Sequence, residues 1–206
     1  TAYDDDFAGC SPAEDDNVRL WGAGGVRLFT SLTHVNNDIE SRTFDIHRLR
    51  HIIEPSITLW HAETDVSAAD LPVFDDDVEQ LGEGGAIRVA LDQTWQTKRG
   101  GPGRWRSVDV LKIETDYVWA GDDAGRGTPI GRWFDARPEL GSPQTYGRGA
   151  FVWQASEIAA IAGEFIYDPS ESRASRSSIG VRRTPGRGFD ARVGFRRIAA
   201  NDGTYL

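Results

Sequence analysis

Apolar and polar residues alternate along this chain in about eight segments of about ten residues each, separated by turn-rich stretches. Residues 86–96 show the pattern most clearly: Ile87, Val89, Leu91 and Trp95 fall on one parity, and Arg88, Asp92, Thr94 and Gln96 on the other. A side-chain period of two belongs to a β-strand and gives each strand two chemically different faces. The connections are sorted as well. They run medium, long, short, long, minimal, modest and minimal, so every second one is the shorter. An antiparallel barrel in an outer membrane has long loops on one side and tight turns on the other. A soluble β-sandwich has no reason to sort its loops by length.

The expected strands are 20–34, 44–62, 86–96, 104–119, 145–155, 158–167, 175–183 and 188–198. Residues 1–18 and the long connections 63–85 and 120–144 are acidic or rich in Gly and Pro and read as loops. The apolar parity carries Val26, Leu28 and Leu32 in the first strand, Ile53, Ile57 and Leu59 in the second, and Phe151, Trp153, Ile161, Phe165 and Tyr167 later. The opposite parity carries Arg48, Arg50, Glu54, Arg88, Asp92, Lys112, Glu114, Asp116, Arg148, Glu164, Asp190, Arg192 and Arg196. A dry sandwich core would not tolerate that set of charges, but a wet lumen would hold it. Val108 and Val110 sit on the polar parity of the fourth strand, which predicts a bulge there or a stretch outside the membrane.

The fold expected is all-β, an antiparallel transmembrane β-barrel. Residues 201–206 read as a hairpin turn followed by the first residues of another strand, and the chain contains no Met. The expectation is therefore a single outer-membrane barrel segment over 1–206, incomplete at both ends and cut from a larger barrel. Aromatic placement agrees. Trp95 and Trp105 flank one short connection, while Trp119 and Tyr167 end strands at the opposite rim, where such rings favour the headgroup layer. Trp60 falls on the polar parity and lies outside that girdle.

Composition excludes several classes. No run approaches the ~20 apolar residues of a membrane helix. A net charge of -9 argues against nucleic acid as a partner. The single Cys10 rules out a disulfide framework within the chain. His47 and His51 have zinc-helix spacing, but in a strand they stand about 13 Å apart, too far to share a metal. His51 and His61 instead read as markers of the two membrane interfaces. Asp75-Asp76-Asp77 lacks the alternating ligands of a calcium loop. No nucleophile–base order, carboxylate pair or phosphate loop stands out. The expectation is a protein that is not an enzyme, with no catalytic residue, metal or cofactor. Arg182, Arg183, Arg187, Arg192, Arg196 and Arg197 form a basic cluster able to bind phosphates. Its plainer reading is a mixture of lumen and turn charges, with Asp190 as a local partner.

His47-Arg48-Leu49-Arg50-His51-Ile52-Ile53-Glu54-Pro55, followed by Asp70-Leu71-Pro72-Val73-Phe74-Asp75, resembles the barrel domain of the LPS-assembly protein LptD (OstA) family. That family carries an Arg-His-x-x-Glu-Pro strand and then a Leu-Pro-x-Phe-Asp loop. The resemblance implies insertion of a lipopolysaccharide-type glycolipid into the outer leaflet of the cell outer membrane of a diderm bacterium. It further implies a plug lipoprotein of the LptE type inside the barrel and periplasmic bridge components that feed the glycolipid. The charged residues named above would then face the lumen, where phosphates or plug residues pair with the arginines and Lys112. A porin or substrate-specific outer-membrane channel fits the same strand pattern, and a soluble β-sandwich binding module is the reading outside membranes.

Overall fold

Ladder hydrogen bonds between strands close in sequence organise the protein. The computed structural model describes residues 2–3, 17–18, 20–65, 83–121, 145–186, 189–200 and 203–205, and no helix occurs among them. β1 (Ala2–Tyr3) and β2 (Asn17–Val18) form a small ladder of their own. The remaining strands are β3 (Trp21–Phe29), β4 (Leu32–Ser41), β5 (Ile46–Thr64), β6 (Gly84–Arg99), β7 (Arg106–Ala120), β8 (Tyr146–Trp153), β9 (Ala159–Asp168), β10 (Arg173–Gly186), β11 (Phe189–Ala200) and β12 (Gly203–Tyr205). They make one antiparallel sheet that runs from β12 back to β5, with β3 and β4 both on the far side of β5. The sheet is open, with β12 at one edge and β3 and β4 at the other.

β3 and β4 are collinear halves of one strand. Phe29 pairs with Ser56 and Leu32 with Ile53, so the register against β5 is continuous across the gap. The gap lies opposite Pro55. Thr30 N–H reaches the Pro55 carbonyl at 3.2 Å, but Pro55 has no N–H with which to return the bond. The expected first strand ended at 34. It continues instead to Ser41, so the medium connection is a tight turn at 42–45. Asn36-Asn37-Asp38 looks like a loop in sequence. In the structure it is a register shift within the ladder, with Asp38 N–H bonded to Asn36 Oδ1 at 2.9 Å. The connection expected at 168–174 likewise shrinks to 169–172. The expected bulge in the fourth strand is present: Trp95 pairs with Leu111 and Gln96 with Asp109, which leaves Val110 as the extra residue. Gly203–Tyr205 pairs with 198–200, as the tail's hairpin reading predicts. Residues 66–82 and 122–144, expected as loops and including Asp75-Asp76-Asp77, lie outside the described residues, as does Cys10.

Burial in this sheet is inverted relative to a soluble core. Ile87, Val89 and Leu91 of β6 are exposed, and so are Leu28, Leu59, Trp119, Phe165, Ile179 and Phe195. The other face of the same strands holds Asp116 at 7% and Arg176 at 6% exposure. A flat single layer would expose both faces alike. One crowded face and one open face mean that the sheet curls toward its polar side. On the open face, the Phe151 ring lies over Gly163, where an added Cβ would stand 2.5 Å from the ring edge.

The short-turn end is held by one guanidinium. Asp45 and Arg48 take positive φ (49° and 61°), which folds the β4–β5 turn back over the end of β6. Arg99, only 1% exposed, donates to the carbonyls of Asp45 (3.2 Å), Phe44 (3.3 Å) and Gln154 (3.3 Å). It thereby joins three consecutive short connections. Thr97 adds to the joint, accepting from His47 N–H at 2.9 Å and donating to the Arg48 carbonyl at 2.8 Å. A lysine lacks the fork needed to reach three carbonyls. Arg99→Lys is predicted to cost about 3 kcal/mol of stability, measured as a lower unfolding midpoint in urea. Lys98→Ala, which removes one exposed contact to Ser107, serves as the control, and an equal effect of the two would contradict this assignment.

A candidate functional site in the charged belt

Cross-strand register gathers the charged residues of the crowded face into rows. Glu54 pairs with Asp92, Asp92 with Glu114 and Glu114 with Ala150, then Ala150 with Glu164 and Glu164 with Ser178. The next row runs through Ala90, Asp116, Arg148, Ile166 and Arg176. Arg88 stands in the row beyond, opposite Thr58 and Val118. Because strands present alternate residues to one face, these three rows stack into one belt.

Arg148 is its hub. Its Nη1 lies 3.3 Å from both Glu114 Oε2 and Asp116 Oδ2, and its Nε lies 3.0 Å from Glu164 Oε1. Arg88 Nη2 reaches Asp116 Oδ2 at 3.3 Å, and Arg176 Nη2 reaches Glu164 Oε2 at 3.0 Å. Three arginines and three carboxylates thus alternate across five strands. Pairs removed from water repay their desolvation only when each charge has several partners, and Arg148 and Glu164 each have more than one. The opposed carboxylates Glu54, Asp92 and Glu114 repel one another, which the neighbouring arginines offset.

Of the charged residues picked out from the alternation, Arg88, Glu114, Asp116, Arg148 and Glu164 come together in this network, and Asp92 sits beside it. Lys112 pairs instead with Asp109 at 2.9 Å. Arg50 stands opposite Gln96, which donates to Asp109 at 2.7 Å. Arg48 serves through its backbone, as part of the fold-back at the turn. Arg192 pairs in register with Arg182, and Arg196 with Ser178, near the β12 edge. Asp190 lies in β11, with its side chain outside the described residues. Arg176 is the belt residue absent from that set. Its signal was present, since it shares the parity of Ser178, opposite Glu164, but the bulge between Ala174 and Arg176 obscures the strand start.

Toward the long connections the same face turns apolar. Trp60, Ala62, Ala86, Val118, Tyr146 and Ile166 form a buried cluster, which accounts for Trp60 on the polar parity. Two imidazoles stack on tryptophans near the short turns: His51 on Trp95 (4.3 Å, 10°) and His47 on Trp105 (4.4 Å, 9°). His51 Nε2 also meets Gln93 Oε1 at 3.2 Å. Trp119 packs on Tyr117 at the opposite end of β7. Among the described residues, no three side chains of metal-ligand type gather in one place. The arrangement binds strands and presents charge.

Removal of the hub leaves Glu114, Asp116 and Glu164 sharing too little positive charge. Arg148→Met is predicted to destabilise the fold by about 3 kcal/mol, read from the urea midpoint. Glu164→Gln combined with it should give less than the sum of the two single losses. Strict additivity would show that the two do not interact.

Compared with models of known protein families and with curated proteins, the chain matches none.

Proposed function

We propose that this chain is a segment of an outer-membrane β-barrel of the LptD type, which inserts a lipopolysaccharide-type glycolipid into the outer leaflet. The observation that carries the proposal is the inverted sheet: an exposed apolar face and a crowded, ion-paired face on the same strands. In water an apolar face as broad as this one is unfavourable. In a bilayer it is the surface that meets lipid, while the charged face lines an aqueous lumen. The apolar side chains of this face are exposed among the described residues, which counts against the sandwich reading.

The motif resemblance supplies the finer assignment. His47 to Pro55 lies in β5, where His51 stacks on Trp95 and Glu54 begins the acidic row. In this reading the polar lumen passes the sugar-phosphate head of the glycolipid and a separate apolar route takes its acyl chains. A plug lipoprotein of the LptE type fills part of the lumen, and periplasmic bridge components deliver the cargo.

The test is fractionation of the tagged full-length protein, then gel migration with and without boiling. The expected result is carbonate-resistant outer-membrane material with heat-modifiable mobility, and loss of surface glycolipid on depletion. A soluble, heat-insensitive product would overturn the barrel. Steady conductance in planar bilayers with normal surface glycolipid would replace the assembly role with that of a channel.

A further inference from the structure

Charge is segregated between the two ends of β5 and β6. Residues 63–85, which connect them, contain eight Asp or Glu and no Lys or Arg. Residues 98–106, at the short-turn end, contain four Lys or Arg and no Asp or Glu. The carboxylates around this second end are engaged by other cations: Glu40 by His47 (2.9 Å), Asp45 by Arg99 (3.3 Å), Asp109 by Lys112 (2.9 Å) and Glu157 by Arg106. Arg42, Arg48, Lys98 and Arg104 make no ion pair among the described residues, and the three arginines are exposed. Two contacts hold these cations at one end of the sheet. Arg99 on the Phe44 and Asp45 carbonyls joins the turn after Arg42 to β6. His47 stacked on Trp105 joins β5, next to Arg48, to the connection that carries Arg104. Exposed rings stand beside them, Trp105 at 44% and Phe44 at 51% exposure.

We propose that this end of the sheet is a rim for anionic phospholipid headgroups, with Arg42, Arg48, Lys98 and Arg104 as its cations and Trp105 and Phe44 as its anchors. The inference rests on the barrel reading, in which short turns lie on the periplasmic side of the outer membrane, and adds the charge class of the lipid met there. An indole ring settles at headgroup level. From that depth an arginine stem lies along apolar surface while its guanidinium reaches the lipid phosphate and bonds it bidentately. A zwitterionic headgroup brings its own cation into the same space, whereas phosphatidylglycerol brings net negative charge. The acidic residues at the other end of β5 and β6 are repelled by such a leaflet, so the charge distribution sets the direction in which the strands cross. The rim is separate from the belt centred on Arg148, whose arginines are all paired.

The experiment is titration calorimetry of the full-length protein in non-ionic detergent with short-chain phosphatidylglycerol, short-chain phosphatidylcholine and inorganic phosphate. It compares wild type, R42Q/R104Q and R27Q. Arg27 lies over the Phe29 ring (5.6 Å) and opposite Thr58, away from the short turns, and controls for a general loss of charge. Wild type should prefer phosphatidylglycerol to phosphatidylcholine. Each rim arginine removed should weaken phosphatidylglycerol binding about fivefold, with R27Q close to wild type. R104Q alone, a change in an exposed connection, provides the readout if the double variant misfolds. Equal binding of the two lipids by wild type, undiminished phosphatidylglycerol binding by the rim variants, or an equal loss in R27Q would overturn the rim. Inorganic phosphate bound as tightly as phosphatidylglycerol would overturn the lipid as its ligand. Selective loss in R42Q/R104Q of a protein that fractionates as soluble would keep the rim and remove the barrel. An outer-membrane protein without lipid preference would keep the barrel and remove the rim.

Discussion

Main-chain pairing within a single uncovered sheet is the constraint on which the rest of this structure depends. Among its described residues the chain has no helix, and its second sheet is only the two-stranded β1–β2 ladder, so each strand of the large sheet is held mainly by its neighbours. Such a sheet can be stable only if each of its faces meets a medium that suits it. The period-two alternation supplies that match, and a slip of one residue would reverse it throughout. Irregularities are placed accordingly. Pro55 interrupts the ladder beside the edge strand, and the bulge at Val110 falls within β7, four residue pairs from its short-turn end.

The charged belt does on the crowded face what an apolar core does in a soluble protein. Arg88, Arg148 and Arg176 tie β6 to β10 through carboxylates on β7 and β9. Planar, multidentate guanidinium groups suit this task better than ammonium groups. Lys112, one of two lysines in the chain, makes a local pair outside the network. Arg99 applies the same chemistry to carbonyl acceptors at the short-turn end. Polar contacts thereby join the strands across most of this face, with Trp60, Val118, Tyr146 and Ile166 packing beside them, while the alternate apolar residues are exposed on the other face.

Much of this was legible in sequence because strand periodicity needs no tertiary context. The face assignments of Ile87, Val89 and Leu91 against Arg88 and Asp92 follow from alternation alone, and so does the bulge signalled by Val108 and Val110. Sequence alone ends the first strand early because Asn36-Asn37-Asp38 is a turn signal that a strand can also absorb as a register shift. Arg176 shares the parity of Ser178, opposite Glu164, but it is the first residue after the bulge at Ala174–Arg176, where alternation does not locate the strand start. The fold-back that buries Arg99 depends on positive φ at Asp45 and Arg48, neither of which is a glycine. Arg99 on an exposed-looking turn therefore carried no local sign of its role. Trp60 falls on the polar parity because that face turns apolar around Val118 and Tyr146, a change of character that alternation alone does not signal.

The central claim is that the open face of the sheet meets lipid and the crowded face meets water. A nitroxide scan along β6, from Ala86 to Gln96 in a Cys10→Ser background of the full-length protein in bilayers, tests it most directly. Collision with oxygen, which concentrates in the hydrocarbon, should peak at Ile87, Val89 and Leu91. Collision with a water-soluble nickel chelate should peak at Arg88, Ala90 and Asp92, out of phase with the oxygen profile. In-phase profiles at both sets of positions, or labels that all sit in water, would contradict the account.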